Sequence, residues 1–524
     1  MTRSSTSHPL QIATLPIPTG EGTLGLTFCP GKCDPYAHNG PWARDLPLDL
    51  GAIRGWGAHA LVTLIEDHEF DMLHVGRMGD SAEAAGLDWY HLPIPDMGEP
   101  GWQFERRWVY AGTRLRRLLR RGGRVVLHCR AGLGRAGTIA ARLLVELGVP
   151  PAEAVSLVRK VRPGAIQTAE QEHHVHQARR IPAAQDEAVS RRLGCLLGGS
   201  LGDAFGYPVA FESLSAIQQR HGPAGLREPE FHKQQLEVSD DTQLTLFTLE
   251  GLTRAGHAGG ITDRELLEQV RLAYLDWLEC QGVAPAEGSH PTRLLKHAAL
   301  HARRSPAKSC IESLRAGAAG TPEKPTNDSR EAGVLLRAAA VACMPEMNAE
   351  RAFRLAARAA ALTHGHPAGF LSTGILAATL CGLLEGKPLQ TALIHACDQA
   401  RAWPSHVPVV RHLEAALEAS VRHQGAVLPA ALGAGRSGEE ALAIGYYAVH
   451  RSTDFREVLA IAANQDGLSD IGAGIAGQLF AAQRGIEGLP QAWIRRLDVQ
   501  DALFDLADWA LPLWRRSAGA PEHE

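Results

Sequence analysis

Cys129 and Arg135 stand six residues apart in VVLHCRAGLGRAGTIAARLLVELG, which reads as a strand, a glycine-bearing loop and a helix starting near Gly137 or Thr138. A tight loop feeding a helix N-terminus presents converging backbone N–H groups, which suits a phosphate dianion. The same groups favour the thiolate of a cysteine at the start of the loop, and a thiolate can attack phosphorus. Arg135 can bond two equatorial phosphate oxygens at once, as a lysine cannot. His128, Gly132 and Gly134 complete the segment as candidate substrate-binding residues. The leaving oxygen then needs an acid and the attacking water a base. Asp96, in HLPIPDMGEP, follows a predicted strand on a loop with two prolines and a glycine, from which a carboxyl group could swing over the phosphate. A buried structural cysteine and a turn aspartate are the plain alternatives. A strand, His128, two glycines, Arg135 and an upstream aspartate in the right order favour a cysteine phosphatase site over them.

A second chemical cluster lies in LEVSDDTQLTLFTLEGL. Ser239, Asp240, Asp241 and Thr242 offer hard oxygen donors suited to Mg²⁺, although two acids before a helix also serve as ordinary capping. Cys29 and Cys33 have the spacing of half a zinc site, but no Cys/His cluster follows them.

These residues need elements to hold them. Short apolar runs at Leu61–Ile65, Trp89–Ile94 and Arg124–His128 alternate with helix-like stretches, which predicts an α/β N-terminal domain. After about Gln185 the texture becomes alanine- and leucine-rich, and Thr262 and Glu265 have capping-box spacing before an apolar run, which predicts an all-α second domain. The polar stretch from Arg180 to Arg192 reads as a linker. The expected boundaries are an N-terminal tail over 1–23, the α/β domain over 24–180, a linker over 181–192, the helical domain over 193–515 and a C-terminal tail over 516–524.

At 524 residues the chain is too long for one ordinary core. With 45% apolar and 21% charged residues and a mean hydropathy of -0.12, it has the composition of a globular protein with no membrane partner expected. Nine scattered cysteines and the absence of an apolar stretch in MTRSSTSHPLQIATLPIP point to a reducing, cytoplasmic setting. A formal net charge of -4 gives no bulk drive toward nucleic acid, and the arginine run from Arg114 to Arg124 reads as a solvated helix face.

From about Leu24 to His176 the sequence resembles the dual-specificity phosphatases, most closely the kinase-associated branch. His128, Cys129, Gly132 and Arg135 match its HC-x-x-G-x-x-R signature, and PGKCDP, PWARDLPLDL, VTLIEDHE, the PIPD loop and RPGAIQTAEQ extend the similarity. The resemblance implies that Gln171 helps position the hydrolytic water. Most relatives place a serine or threonine directly after the arginine to stabilise the departing thiolate. Here that residue is Ala136, with Thr138 as a possible substitute.

From about Arg192 to Trp514 the chain resembles the ADP-ribosylglycohydrolases, through GCLLGGSLGDAFGYPVAFE, THGHPAGFLSTGILAATLCGLLEG and ANQDGLSDIGAGIAGQLFAAQRGIEGLPQAW. That resemblance implies a two-magnesium centre that orients ribose hydroxyls and the attacking water. By position, Ser239, Asp240, Asp241 and Asp470 would be metal ligands, Asp203 a structural residue, and His364 and His366 neighbours of the substrate. The departures concern mechanism. Ala210 stands where relatives carry a glutamate, with Glu212 two residues later. Leu468 and Ile471 replace a carboxylate and a hydroxyl ligand, and only Glu212 and Asp466 remain nearby to compensate. A bifunctional protein follows: a cysteine phosphatase that needs no cofactor, joined to an ADP-ribosylglycohydrolase-like domain with an incomplete Mg²⁺ site. Its partners would be phosphorylated and ADP-ribosylated substrates. The alternatives are a fully active Mg²⁺-dependent hydrolase with a regulatory phosphatase domain, and an ADP-ribose-binding module that targets the phosphatase.

Overall fold

The computed structural model describes residues 2–37, 40–259, 262–285, 292–423 and 428–516. Its compact units are Met1–Glu187 and Ala188–Glu524.

The first unit is α/β. Its strands are β1 (Ala13–Pro16), β2 (Thr23–Phe28), β3 (Cys33–Asp34), β4 (Trp42–Ala43), β5 (Ala60–Thr63), β6 (Asp88–His91) and β7 (Arg124–Cys129). Five of them form a sheet in the order β1-β2-β7-β5-β6, while β3 and β4 pair separately. All neighbours in the large sheet run parallel except β1 against β2. Parallel strands deliver their carboxyl ends to one edge, where ligands of α/β sheets bind. The registers Phe28↔Cys129 and Thr63↔His128 bring Cys129 to that edge.

Among the described residues, helices α1 (Leu46–Gly55), α2 (Asp67–Met72), α3 (Met78–Ala84), α4 (Trp102–Arg120), α5 (Gly134–Glu146), α6 (Pro151–Val161) and α7 (Ala169–Gln177) lie between and after the later strands. A core of Leu50, Ile53, Leu61, Ile65, Met78 and Val126 lies between sheet and helices. Nearly continuous apolar strands such as Ala60–Thr63 fit a sheet covered on both faces.

Two expectations need correction. Residues 1–23 are not a tail: Ala13–Pro16 pairs with Thr23–Leu26, and Leu15 is buried. Residues 181–192 are not an extended linker, since Ala183–Gly206 is one helix. Pro182 ends just before it, and no proline or glycine interrupts the following three turns. Of the expected C-terminal tail, 516–524, Arg516 ends the helix Gln500–Arg516, and residues 517–524 lie outside the described residues.

The arginine run is solvated only at its end, where Arg121 and Arg124 are exposed. Arg116 and Arg117 of α4 are buried. Arg116 donates to Glu146 (2.5 Å) and Asp186 (2.8 Å), Arg117 pairs with Glu187 and Arg120 with Asp186. Burial pushes the Glu146 carboxyl up, but Arg116 and Arg142 outweigh it and hold its pKa at about 2. A depressed carboxylate stabilises the folded state above its ordinary pKa, and that stability is lost as pH falls through the folded value. The contribution is about 3 kcal/mol at 1.36 kcal/mol per pH unit. Glu146→Gln should therefore flatten the loss of stability between about pH 5 and pH 2, read as the melting temperature of phosphatase inactivation. An unchanged acid profile would show that Glu146 is not the controlling group.

The second unit is helical. The Thr262–Glu265 capping box forms at the start of Asp263–Cys280. Pro367–Leu384 is long and apolar enough to cross a membrane, but 89% of its window is buried, so it serves as a core helix.

Candidate functional site

In the first unit β7 ends on Cys129, and α5 begins at Gly134, three residues earlier than the sequence suggests. Gly132 turns the loop with φ +70°. A Cβ there would lie 2.3 Å from the Thr27 carbonyl oxygen, so only glycine fits. The Gly132 N–H donates to Cys129 Sγ at 3.3 Å.

Arg135 is buried at the second position of α5. Its guanidinium donates to both oxygens of Glu69 (2.5 and 3.0 Å) and to Ile94 O (3.2 Å), and Nη2 lies 3.0 Å from Asp96 Oδ1. The buried Nε has no hydrogen-bond partner. Glu69 is the residue that sequence reasoning missed. Burial pushes its carboxyl up, but the hydrogen bond from Arg135 and that from the Glu66 N–H bring it below its ordinary value. The available signal was the Glu66–Glu69 capping box of α2. Asp96 is 58% exposed in its side chain, and its N–H is held by Glu66 Oε2 at 3.2 Å. It is thus tied at the backbone, while its exposed carboxyl meets Arg135 and accepts from the Met97 N–H at 3.1 Å.

Cys129, Arg135, Asp96 and Gly134 line one open pocket of about 990 Å³. Three other expected residues do different work. His128 is buried, its Nε2 sits 2.7 Å from Thr63 Oγ1, and burial lowers its pKa to about 3, so it is neutral and braces the sheet behind the loop. Gln171 uses both ends of its amide, donating to Gly98 O (2.9 Å) and accepting from Gln167 N (2.9 Å), and so ties the acid loop to the segment before α7. Gln167 lines the pocket instead. Thr138 donates to Gly134 O at 2.9 Å within its own helix and does not replace the hydroxyl that Ala136 lacks.

In the second unit two helices touch through glycines. A Cβ on Gly202 would lie 2.1 Å from Ala473 O, and one on Gly477 2.0 Å from Gly198 O. This approach brings Asp203 close enough to Asp470 for the Asp470 carboxylate to disfavour ionisation of Asp203. Asp203 Oδ2 accepts from Ser239 N at 3.1 Å, so it fixes the turn that presents Asp240 and Asp241. The Ser239 hydroxyl accepts from Asp241 N and caps their helix.

Asp203, Asp240, Asp241 and Asp470 are all buried, and burial raises every one of their carboxyls. Arg337, a buried cation that sequence reasoning missed, offsets Asp240 and Asp241 only in part. Asp203 Oδ1, Asp240 Oδ2 and Ser469 Oγ are buried without partners. Unpaired buried anionic oxygens are costly and fit a hard cation. Among the described residues, however, no three His, Cys, Asp or Glu side chains converge as a ready metal cage.

Neither candidate substitute reaches this cluster. Asp466 is exposed and accepts from Leu214 N at 2.7 Å, while Glu212 pairs with Arg220. His364 is buried with Nδ1 2.9 Å from Thr363 Oγ1, and burial and Arg337 keep it neutral. His366 is a helix cap, its Nδ1 accepting from Ala368 N at 3.0 Å. A pocket of about 770 Å³ lies beside His364, with Lys308, Arg330, Glu331, Arg436 and Glu439 in its wall.

The fold and sites define a hydrolase built from a cysteine-phosphatase domain and a helical, acid-centred glycohydrolase domain. The chain belongs to the ADP-ribosylglycohydrolase family, which it matches over residues 184–520. Residues 48–149 match the family described as "Polymorphic toxin system, DSP-PTPase phosphatase". The chain is 28% identical to cyclin-dependent kinase inhibitor 3 of Rattus norvegicus over 180 residues, 33% of this chain and 79% of that protein. It is 29% identical to the tyrosine-protein phosphatase CDC14 of Saccharomyces cerevisiae over 120 residues, 22% of this chain and 20% of that one. Among solved structures, kinase associated phosphatase is similar at 25% identity, covering 32% of this chain and 93% of its own, with TM-score 0.29. An ADP-ribosylglycohydrolase-related protein complex is similar at 25% identity, covering 63% and 99%, with TM-score 0.42.

Proposed function

We propose that this chain is bifunctional, with a phosphatase that works through a phosphocysteine on Cys129 and a Mg²⁺-dependent ADP-ribosyl site whose metal centre is incomplete. The observation that carries the first half is the shared pocket of Cys129, Arg135 and Asp96. The thiolate attacks phosphorus, an S–P bond forms, and the P–O bond to the leaving group breaks as Asp96 gives that oxygen a proton. Water then attacks the phosphocysteine, Asp96 takes its proton, and the S–P bond breaks to release phosphate. Arg135 holds the equatorial oxygens throughout, and the Gly132 N–H meets the returning thiolate in place of the hydroxyl that Ala136 lacks.

For the second half, Asp240, Asp241, Asp470 and Ser239 would hold Mg²⁺, which when bound supplies a Lewis acid for ribose hydroxyls and water. Asp203 and the glycine contacts hold those carboxylates in place. Leu468 and Ala210 favour weak turnover or a binding role. Hydrolysis of an aryl phosphate, assayed beside Mg²⁺-dependent cleavage of ADP-ribosyl-arginine and ADP-ribosyl-serine, tests both halves. Leu468→Asp should tighten Mg²⁺ binding about tenfold or more in a calorimetric titration, because it restores an anionic oxygen donor. Equal Mg²⁺ affinity in the two proteins would mean that position 468 does not face the metal.

A further inference from the structure

The phosphatase pocket holds more positive charge than one phosphate requires. Five cations line it, Arg3, Lys32, Arg130, Arg135 and Arg162, against two carboxylates, Asp34 and Asp96. Arg130 is matched by Asp34 at 3.0 Å, and Arg135 by Glu69 and Asp96. Arg162 donates to the carbonyls of Ala131 and Gly132 and so holds the loop.

Lys32 is different. It precedes β3 and is only 6% exposed, with Nζ 5.0 Å from the ring centres of both Phe28 and Trp42. Among the described residues no carboxylate lies within ion-pair distance of its ammonium. Arg44, whose guanidinium lies over the same two rings, is already neutralised by Asp49 at 2.7 Å. Burial lowers the Lys32 pKa; Cys29 and Asp34 oppose that fall, and Arg130 and Arg44 add to it. A buried ammonium flanked by aromatic faces, with Asp34 near but not in ion-pair contact, and opening into the pocket has room for one more anion.

We propose that Lys32 is the centre of a second anion subsite, and that the phosphatase acts on esters carrying a further phosphate near the one removed. This rests on the phosphatase reading of Cys129. Arg3, whose guanidinium lies 5.2 Å from the Trp42 ring centre, widens the subsite toward solvent. Pocket size agrees, since about 990 Å³ is far more than one phosphate fills and suits a whole small ligand.

The test compares adenosine 3′,5′-bisphosphate with adenosine 3′- and 5′-monophosphate, using kcat/KM in the full chain and binding to Cys129→Ser by calorimetry. Wild type should favour the bisphosphate at least about tenfold, or about 1.4 kcal/mol. Lys32→Gln should bring the ratio to within about twofold, while Lys32→Arg, which keeps the charge, should retain most of it. Equal kcat/KM for bisphosphate and monophosphates in wild type, or an undiminished preference in Lys32→Gln, overturns the proposal. If no ester is turned over but Cys129→Ser still binds the bisphosphate preferentially through Lys32, the subsite stands and the phosphatase reading falls. Equal affinities there remove the subsite.

Discussion

Cys129→Ser should lose aryl phosphatase activity by at least about a thousandfold, because a serine hydroxyl in this loop is not ionised and is a far weaker nucleophile than a thiolate. The substitution is close to isosteric. The Gly132 N–H that meets Sγ at 3.3 Å can meet an oxygen in the same place, and the buried contacts of β7 are untouched. The melting temperature should therefore stay put while turnover disappears. Cleavage of ADP-ribosyl bonds, wherever it is measured in wild type, should be unaltered, since every carboxylate of that site lies in the second unit. Residual phosphatase activity within tenfold of wild type would mean that another group attacks phosphorus.

Arg135→Lys should lower kcat/KM by roughly a hundred- to a thousandfold, since it removes the paired charge-assisted hydrogen bonds that a planar guanidinium makes, each worth about 1.5–3 kcal/mol. It also acts on stability. Glu69 is buried and accepts from Arg135 through both oxygens, and a lysine ammonium can satisfy only part of that arrangement. Leaving a buried carboxylate short of partners costs about 3 kcal/mol, so a fall of several degrees in melting temperature should accompany the loss of activity. Ala136→Ser, one residue along, serves as the control for general damage to the loop. A full loss of activity with unchanged stability would separate Arg135 from Glu69, against the geometry described here.

Cys129, Arg135 and Asp96 were legible because their chemistry follows from local order: a strand, a glycine loop, a helix N-terminus and an acid on a proline-bearing loop. Glu69 was not, since it reaches Arg135 across 66 positions and looks in sequence like an ordinary helix cap. The roles implied for His128, Gln171 and Thr138 shifted for one reason. A residue type shows what a side chain can bond but not which neighbour claims it first, and Thr63, Gly98 and Gly134 did so. In the second unit the pairing of Asp203 with Asp470 depends on two glycine-lined helices far apart in sequence. The isolation of Asp466 and Glu212 from the acid cluster came from capping and ion-pair contacts that only the fold reveals.

The sequence by itself determined the two-domain class and marked the candidate nucleophile, clamp and acidic turn, because periodicity and short-range spacing are local properties of a chain. Strands β1 and β2 escaped it, since TLGLTF is short and interrupted by glycine and polar residues, and pairing with β1 and β7 makes it a strand. Only the tertiary structure decided that Arg116 and Arg117 of α4 are buried, that among the described residues no carboxylate is in ion-pair contact with Lys32, and that four aspartates share one interior. Each of these is a balance of charge over distance in a low-dielectric setting, and such a balance exists only once remote segments have been brought together.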